Sequence, residues 1–343
     1  MRFFCFKCNK AYKDFSYYCE CGAPLQLKTK KIKKKLLNGI NISHKKYERI
    51  FPFKIISIGE GGTSLVSFDK NIFLKLEYIN PTGSFKDRGS SVEIGYAIHN
   101  RFKSICLAST GNMAISLASY ASYIGLETNI FLTRKVDKYK LNLLRMMDVK
   151  IVGFFDSYIK AFNYCENYAK NKGIFLAGDY ALRLEGQKTI SYEIFEQLGE
   201  VPDIIVLPIG NGTLFSSIHK GFEEIGEVPK IIGVVAKGCN SLYKTFKTRS
   251  ERLIPIKKSK TIATAIACEK PVWGEYVLRL CYEYGHEILE ISDEKMLEAQ
   301  KLLAKKGFFV EISSASVLAA LKIIRDKIEN KEKVVLVLTG SRI

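Results

Sequence analysis

No apolar run in the 343 residues reaches the roughly 18 needed to cross a bilayer, so no membrane-spanning helix is expected. The start, Met1-Arg2-Phe3-Phe4-Cys5, has no stretch resembling a secretory signal, and the expectation is a cytoplasmic protein with no membrane partner. Neither G-x-G-x-x-G nor G-x-x-x-x-G-K-[ST] occurs, which argues against a dinucleotide or ATP site. There is no internal repeat and no low-complexity tract beyond one lysine-rich stretch. Cysteine is present in an odd number, nine, and without a secretory signal that count argues against a disulfide framework.

The composition that is present is globular, with 47% hydrophobic and 26% charged residues. The length suits about two domains of ~150 residues each. Fifty-three Lys plus Arg against 35 Asp plus Glu leave a net charge of +18, which concentrates anions near the surface. The densest basic run, with lysines at 28, 30, 31, 33, 34 and 35, has no interleaved aromatics on which bases could stack. It reads as a solvated linker, and nucleic acid is not an expected partner.

Residues 1–27 stand apart. Four cysteines fall as Cys5-x2-Cys8 and Cys19-x-Cys21, with Gly22 after the second pair. Two thiolate pairs joined by a hairpin-length insert suit tetrahedral zinc, each pair gripping the ion from a tight turn. A module this small buries too little core to hold itself without metal, and four sulfurs leave no open position, so such zinc is structural. Four free thiols, or one redox pair, is the competing reading. Cys106, Cys165, Cys239, Cys268 and Cys281 sit in apolar or amphipathic segments, as reduced core thiols do.

After the linker the chain alternates. Strand-like runs at Ile72–Leu76, Ile105–Ala108, Thr128–Leu132, Val149–Val152, Ile204–Pro208, Ile231–Val235 and Val334–Leu338 are separated by helical patterns at Ala114–Ile124, Lys138–Met147, Tyr158–Lys170, Gly186–Leu198 and Leu214–Ile225. Buried strands alternating with amphipathic helices predict an α/β fold with parallel sheets covered on both faces. Three turns lie where strands hand over to helices, the ends at which open parallel sheets bind ligands. In Asn80-Pro81-Thr82-Gly83-Ser84-Phe85-Lys86-Asp87-Arg88-Gly89, Lys86 opens a helix, whose positive end favours the neutral, nucleophilic amine. Ser109-Thr110-Gly111-Asn112 offers hydroxyls and backbone N–H groups to a carboxylate, although Ser, Thr and Asn are also ordinary helix caps. Gly210-Asn211-Gly212-Thr213 lets backbone N–H groups converge on a phosphate, or is simply a tight turn.

Taken in order, these turns resemble the threonine synthase family of fold-type-II pyridoxal-phosphate enzymes. The resemblance runs from the Cys pairs through Gly59-Glu60-Gly61-Gly62-Thr63-Ser64-Leu65, the lysine motif, Ser109–Asn112, Arg183-Leu184-Glu185-Gly186-Gln187-Lys188-Thr189, Gly210-Asn211-Gly212 and Ala263-Thr264-Ala265-Ile266 to Leu338-Thr339-Gly340. It implies a tryptophan synthase β-like fold of two open parallel-sheet domains with a small N-terminal four-cysteine zinc ribbon: residues 1–27 the ribbon, 28–87 with 181–343 the large cofactor domain, and 88–180 the small α/β domain. It further implies that Lys86 carries pyridoxal 5'-phosphate as a Schiff base and shuttles protons. Asn112 would meet the cofactor's ring hydroxyl, Gly210, Asn211, Gly212 and Thr213 its phosphate, and Thr339 its pyridine nitrogen. Ser109, Thr110 and Arg183 would hold an amino-acid substrate, and Cys5, Cys8, Cys19 and Cys21 the zinc.

The implied activity is a carbon–oxygen lyase reaction of threonine biosynthesis, O-phospho-L-homoserine and water giving L-threonine and phosphate, in a protein that is often a homodimer. The chain departs from the family pattern at Met113, Ala177, Gly178 and Ala267, where the family usually carries Thr, Asn, Ser and Arg. Those departures keep a second reading open: β-elimination from serine or threonine, or β-replacement on an O-substituted serine, as in cysteine or cysteate synthases. A third reading, a zinc-ribbon binding protein with an inactive enzyme body, predicts colourless protein and steeply salt-dependent nucleic-acid binding.

Overall fold

The computed structural model describes residues 1–33, 37, 43–109, 111–134, 136–256 and 258–342; the end of the lysine-rich run, Lys34 and Lys35, lies outside them. The chain opens with β1 (Phe3–Cys5), β2 (Ala11–Tyr12) and β3 (Leu25–Leu27), an antiparallel ribbon in the order β2-β1-β3. It continues with β4 (Leu65–Asp69), β5 (Ile72–Lys75) and α1 (Lys86–His99). An alternating stretch follows: β6 (Ser104–Ala108), α2 (Asn112–Tyr123), β7 (Glu127–Thr133), α3 (Lys138–Met146), β8 (Lys150–Phe155), α4 (Tyr158–Lys172) and β9 (Phe175–Leu176). Then come α5 (Ala181–Gln187), α6 (Thr189–Leu198), β10 (Ile204–Pro208), α7 (Thr213–Ile225), β11 (Lys230–Ala236) and α8 (Ser241–Lys247). The last elements are α9 (Gly274–Tyr284), β12 (Glu287–Ile291), α10 (Asp293–Lys305), α11 (Ile312–Ile324) and β13 (Val334–Val337).

Two sheets result. One has the order β12-β11-β10-β13-β5-β4, parallel except for the antiparallel edge strand β4; the other, β8-β7-β6-β9, is wholly parallel. Every residue of β10 and β13 is buried, as central parallel strands with helices on both faces must be. Alternate residues serve opposite faces: Ile205, Leu207, Val335 and Val337 pack with Phe215 and Trp273, whereas Ile204, Val206, Val334 and Leu336 pack with Met296 and Leu318. The predicted α/β class is therefore the observed one. The expected helix Gly186–Leu198 differs: it begins at Ala181 and is interrupted at Lys188. Thr189 Oγ1 donates back to the Gly186 carbonyl at 2.7 Å, a local bond that competes with the helical ladder.

Two close approaches fix the lysine-bearing helix α1. A Cβ on Gly186 would stand 2.1 Å from the Arg88 carbonyl oxygen and one on Gly89 2.6 Å from Arg183 Cγ, so only glycine lets α1 and α5 approach this far. Arg88 then reaches into a buried polar cluster. Its guanidinium donates to both oxygens of Glu77 (2.7 and 2.8 Å) and both of Glu193 (2.7 Å each), while Lys75 Nζ donates to Glu193 Oε2 at 2.8 Å. Two cations and two carboxylates thus balance between β5, α1 and α6.

The N-terminal ribbon straddles both sheet layers. Its Phe6 ring lies 4.9 Å from that of Tyr276 on α9, and its Tyr17 hydroxyl accepts from the Leu176 N–H on β9 at 2.9 Å. Upstream of the lysine turn, Glu60 is fully buried and accepts from Tyr120 Oη (2.8 Å), Ser57 Oγ (3.0 Å) and the Ile58 N–H (3.1 Å), with His44 Nδ1 at 3.1 Å. Burial opposes its charge, but hydrogen bonding and the charge of His44 prevail and hold its carboxyl down at about 2. A depressed folded-state value contributes stability above the unfolded value near 4.5 that is lost as pH falls toward 2. Glu60→Gln should therefore flatten the acid limb of urea-unfolding stability between about pH 4.5 and 2, by roughly 3 kcal/mol. An unchanged limb would show that other carboxylates carry it.

Candidate active site

The lysine turn is strapped to the C-terminal end of β13. The Phe85 N–H donates to the Thr339 carbonyl at 3.0 Å, and the Ser341 N–H to the Gly83 carbonyl at 2.8 Å. This brings Lys86, first residue of α1, beside Thr339, which is buried with its Oγ1 2.8 Å from Ser314 Oγ. The Lys86 side chain is one-fifth exposed. Burial pushes its ammonium toward the neutral form; the nearby Asp179 carboxylate opposes this and the Arg183 guanidinium adds to it, leaving the amine below its ordinary range. A depressed lysine at a cleft is the nucleophile that carbonyl condensation requires.

Across from Lys86 lies the glycine turn at the head of α7. Gly212 has φ +87°, the left-handed region that glycine enters without strain, and a Cβ on Gly210 would come 2.8 Å from the Ala265 carbonyl oxygen. The first α7 bond runs from the Ser216 N–H to the Gly212 carbonyl, so the N–H groups ahead of it have no partner within the helix. Asp179 spans the gap: its carboxylate accepts from Asn211 Nδ2 (2.6 Å) and Thr213 Oγ1 (2.8 Å) and lies 3.5 Å from Lys86 Nζ. Burial opposes its charge too, but Lys86, Arg183 and these hydrogen bonds hold it below the usual carboxylate range.

The third turn closes the cleft from the other sheet. Asn112 starts α2; its Nδ2 donates to Glu311 Oε2 at 3.1 Å and its Oδ1 accepts from Lys140 Nζ at 2.7 Å. Ser109 Oγ accepts from the Gly111 N–H at 3.3 Å. Thr110 lies outside the described residues. Arg183 is fully buried, with Nε donating to the Gly178 carbonyl (3.2 Å), one terminal nitrogen to the Lys86 carbonyl (3.1 Å) and the other to Ser90 Oγ (3.4 Å) and Glu93. Four of its five N–H donors are thus bonded to protein groups. Met113 and Ala177, two of the departures from the family pattern, are buried in the apolar core around β6 and α2. Cys106, Cys165, Cys239 and Cys281 are buried free thiols, as expected. Cys268 is not a core thiol: it is partly exposed, and its Sγ lies 2.9 Å from Asn211 Oδ1.

A phosphorylated carbonyl cofactor fits this arrangement. A desolvated amine, a helix head with uncommitted N–H groups and a turn without room for Cβ atoms face one cleft, and phosphate binds helix heads by the same donors and dipole. Sequence reasoning missed Asp179, Glu311, Lys140 and Ser314. Each is an ordinary residue in its own segment and gains significance only from neighbours far away in the chain. At the N-terminus, the Cys5, Cys8, Cys19 and Cys21 sulfurs all lie within 4.8 Å of one another. Closest are Cys5 with Cys21 at 3.5 Å and Cys8 with Cys19 at 3.4 Å, near the ~3.8 Å that tetrahedral ligands about 2.3 Å from zinc would show.

Residues 56–340 match the family described as "Pyridoxal-phosphate dependent enzyme". The threonine synthase of Methanocaldococcus jannaschii is 36% identical, the match covering 98% of this chain and 91% of that protein. The threonine synthase of Methanosarcina acetivorans is 34% identical over 86% of this chain and 78% of its own length. This chain belongs to the threonine synthase family of pyridoxal-phosphate-dependent enzymes. Solved structures share its fold: maize serine racemase superposes with a TM-score of 0.73 at 22% identity, covering 82% of this chain and 88% of that one. A Rhizomucor miehei L-serine ammonia-lyase gives 0.71 at 22% over 81% and 93%. The fold is the fold-type-II architecture, and the enzyme class is that of pyridoxal-phosphate-dependent lyases. Among the described residues no helix is long and apolar enough to cross a membrane.

Arg183 supports the site by holding Glu93, Gly178 and the Lys86 carbonyl at once. Arg183→Ala leaves the Glu93 carboxylate buried without its partner and should lower the urea-unfolding free energy by about 3–5 kcal/mol. A change below about 1 kcal/mol would show that water replaces the guanidinium.

Proposed function

We propose that this enzyme converts O-phospho-L-homoserine and water to L-threonine and inorganic phosphate, with Lys86 as its catalytic base. The observation that carries the reading is the desolvated Lys86 amine facing the α7 glycine turn across one cleft, in a chain aligned along nearly its whole length with threonine synthases. Bound pyridoxal phosphate supplies the electron sink that makes the substrate's α-proton labile. Lys86 Nζ holds the cofactor and then takes and returns protons at the substrate's α- and neighbouring carbons. The N–H groups of Gly210, Asn211, Gly212 and Thr213 receive the cofactor phosphate, and Asn112 orients the ring through its hydroxyl oxygen. Thr339, hydrogen-bonded to Ser314, would be the neutral partner of the ring nitrogen. Ser109 and Thr110 receive the substrate carboxylate. Arg183, with four of its five donors committed, acts on the anionic end of the substrate chiefly through its charge.

The same reading makes residues 88–180 a small domain that closes on the large domain of 28–87 and 181–343, excluding water during proton transfer. It also carries a structural zinc on the four N-terminal cysteines of the 1–27 ribbon, a homodimeric assembly and a cytoplasmic location. One observation favours a second reading, β-elimination from an uncharged hydroxy amino acid: Asp179 places a carboxylate beside Lys86, where a leaving phosphate would meet like charge.

Purified protein should carry a visible cofactor band and release phosphate and threonine from O-phospho-L-homoserine. Lys86→Ala should lose the covalent attachment and cut kcat by on the order of 10³-fold or more. Release of ammonia and a 2-oxo acid from serine or threonine, without phosphate release from phosphohomoserine, would transfer the assignment to the second reading. Elemental analysis should find zinc at one per chain. Its removal with a chelator should raise amide exchange across residues 3–27, because metal supplies most of the order in so small a module. Exchange that does not respond would leave the docking contacts of Phe6 and Tyr17 as sufficient.

A further inference from the structure

The turn expected to receive the cofactor phosphate already has two of its side chains, Asn211 and Thr213, bonded to a carboxylate of the protein. Asp179 is buried, with 8% of its surface exposed. Its two oxygens take the side-chain donors of both Asn211 and Thr213 at the head of α7, while one of them stands 3.5 Å from Lys86. On the proposed reading, Lys86 and the α7 turn are also the two places that would hold the cofactor. A carboxylate suits that position for the reason phosphate does: it is an anion accepting from polar donors at the positive end of a 13-residue helix. Nothing in the Asp179 backbone need change to empty the seat. The Trp273 Nε1–H donates to the Asp179 carbonyl at 2.8 Å, and the Tyr180 N–H to the Gly178 carbonyl at 2.8 Å, so the main chain is pinned on both sides and the carboxylate leaves by rotation about Cα–Cβ.

We propose that Asp179 is a built-in placeholder anion, which holds the phosphate cradle formed in the cofactor-free chain and must rotate away when a phosphate monoester binds. The inference rests on the pyridoxal-phosphate reading of the cleft and concerns how that cofactor is admitted. It makes Asp179 a positioning residue. Removing its charge strengthens binding of any phosphate group at the α7 turn, because the incoming dianion no longer displaces an anion or lies beside one. Ligands without phosphate gain little.

The test uses the full-length chain stripped of cofactor, as wild type, Asp179→Asn and Asp179→Val. Dissociation constants are measured for pyridoxal phosphate by its visible band, for pyridoxal by the same band, and for inorganic phosphate by calorimetry. The expected result is at least tenfold tighter pyridoxal phosphate and phosphate binding in both variants, with pyridoxal changed less than about threefold. The melting temperature of stripped Asp179→Val should also fall below that of the stripped wild type, and added phosphate should restore it. Unchanged or weaker phosphate and pyridoxal phosphate binding in the variants overturns the inference, as does an equal gain for pyridoxal. A wild-type chain that forms no Lys86-dependent visible band overturns the cofactor reading itself, and the two failures are told apart by that control.

Discussion

The Arg88 guanidinium, held between the carboxylates of Glu77 and Glu193, is the interaction from which the rest of the site takes its position. Arg88 lies two residues beyond Lys86 on the first turn of α1. Its partners come from the short turn that follows β5 and from α6, so one planar group ties the lysine-bearing helix to the exit of the large sheet and to a helix more than a hundred residues away. All four charges, with Lys75 completing the set, are removed from water. Desolvation makes any single one of them costly alone, and only the full, geometrically matched set is tolerable. That all-or-none requirement leaves α1 little freedom of register, and it delivers Lys86 to the cleft in one orientation. The close approach of Gly186 and Gly89 serves the same end by sterics where Arg88 serves it by charge.

The cleft inherits an electrostatic gradient from this frame. Burial lowers the pKa of the Lys86 amine, Arg183 reinforces that shift while bonding Glu93 and the backbone, and the head of α7 supplies a fixed positive end. Asp179 is the counterweight. Its carboxylate satisfies the buried side-chain donors of Asn211 and Thr213, which would be costly to leave unpaired.

The N-terminal ribbon is less separate than its composition implies. Phe3, Phe6 and Leu25 join the same buried cluster as Phe215 and Trp273, and Tyr17 packs on Tyr180, the neighbour of Asp179. The four cysteines gather at its tip. A module that cannot bury its own core thus borrows one from both sheet layers, and its geometry bears on the segment that carries Asp179.

Much of this was legible in the chain itself. Runs such as Ile204–Pro208 and Val334–Leu338, apolar on both faces, determine buried parallel strands wherever they occur, because their backbone groups must pair and their side chains must leave water on both sides. The order of the lysine, Ser109–Asn112 and Gly210–Thr213 turns determined the family, and the spacing of Cys5, Cys8, Cys19 and Cys21 determined a four-sulfur cluster. Tertiary structure decided what depends on residues distant in sequence. Arg183 read as a substrate ligand by motif, and folding adds a structural part: its neighbours Glu93 and Ser90 sit on α1 and take two of its hydrogen bonds. Met113 stood out only as a departure from the family pattern, and packing places it in the core. Asp179 gave no signal, since a lone aspartate has meaning only once Lys86, Asn211 and Thr213 surround it. Local pattern carries the periodic terms of burial and hydrogen bonding, whereas the charge a side chain feels is a sum over neighbours that only the folded chain assembles.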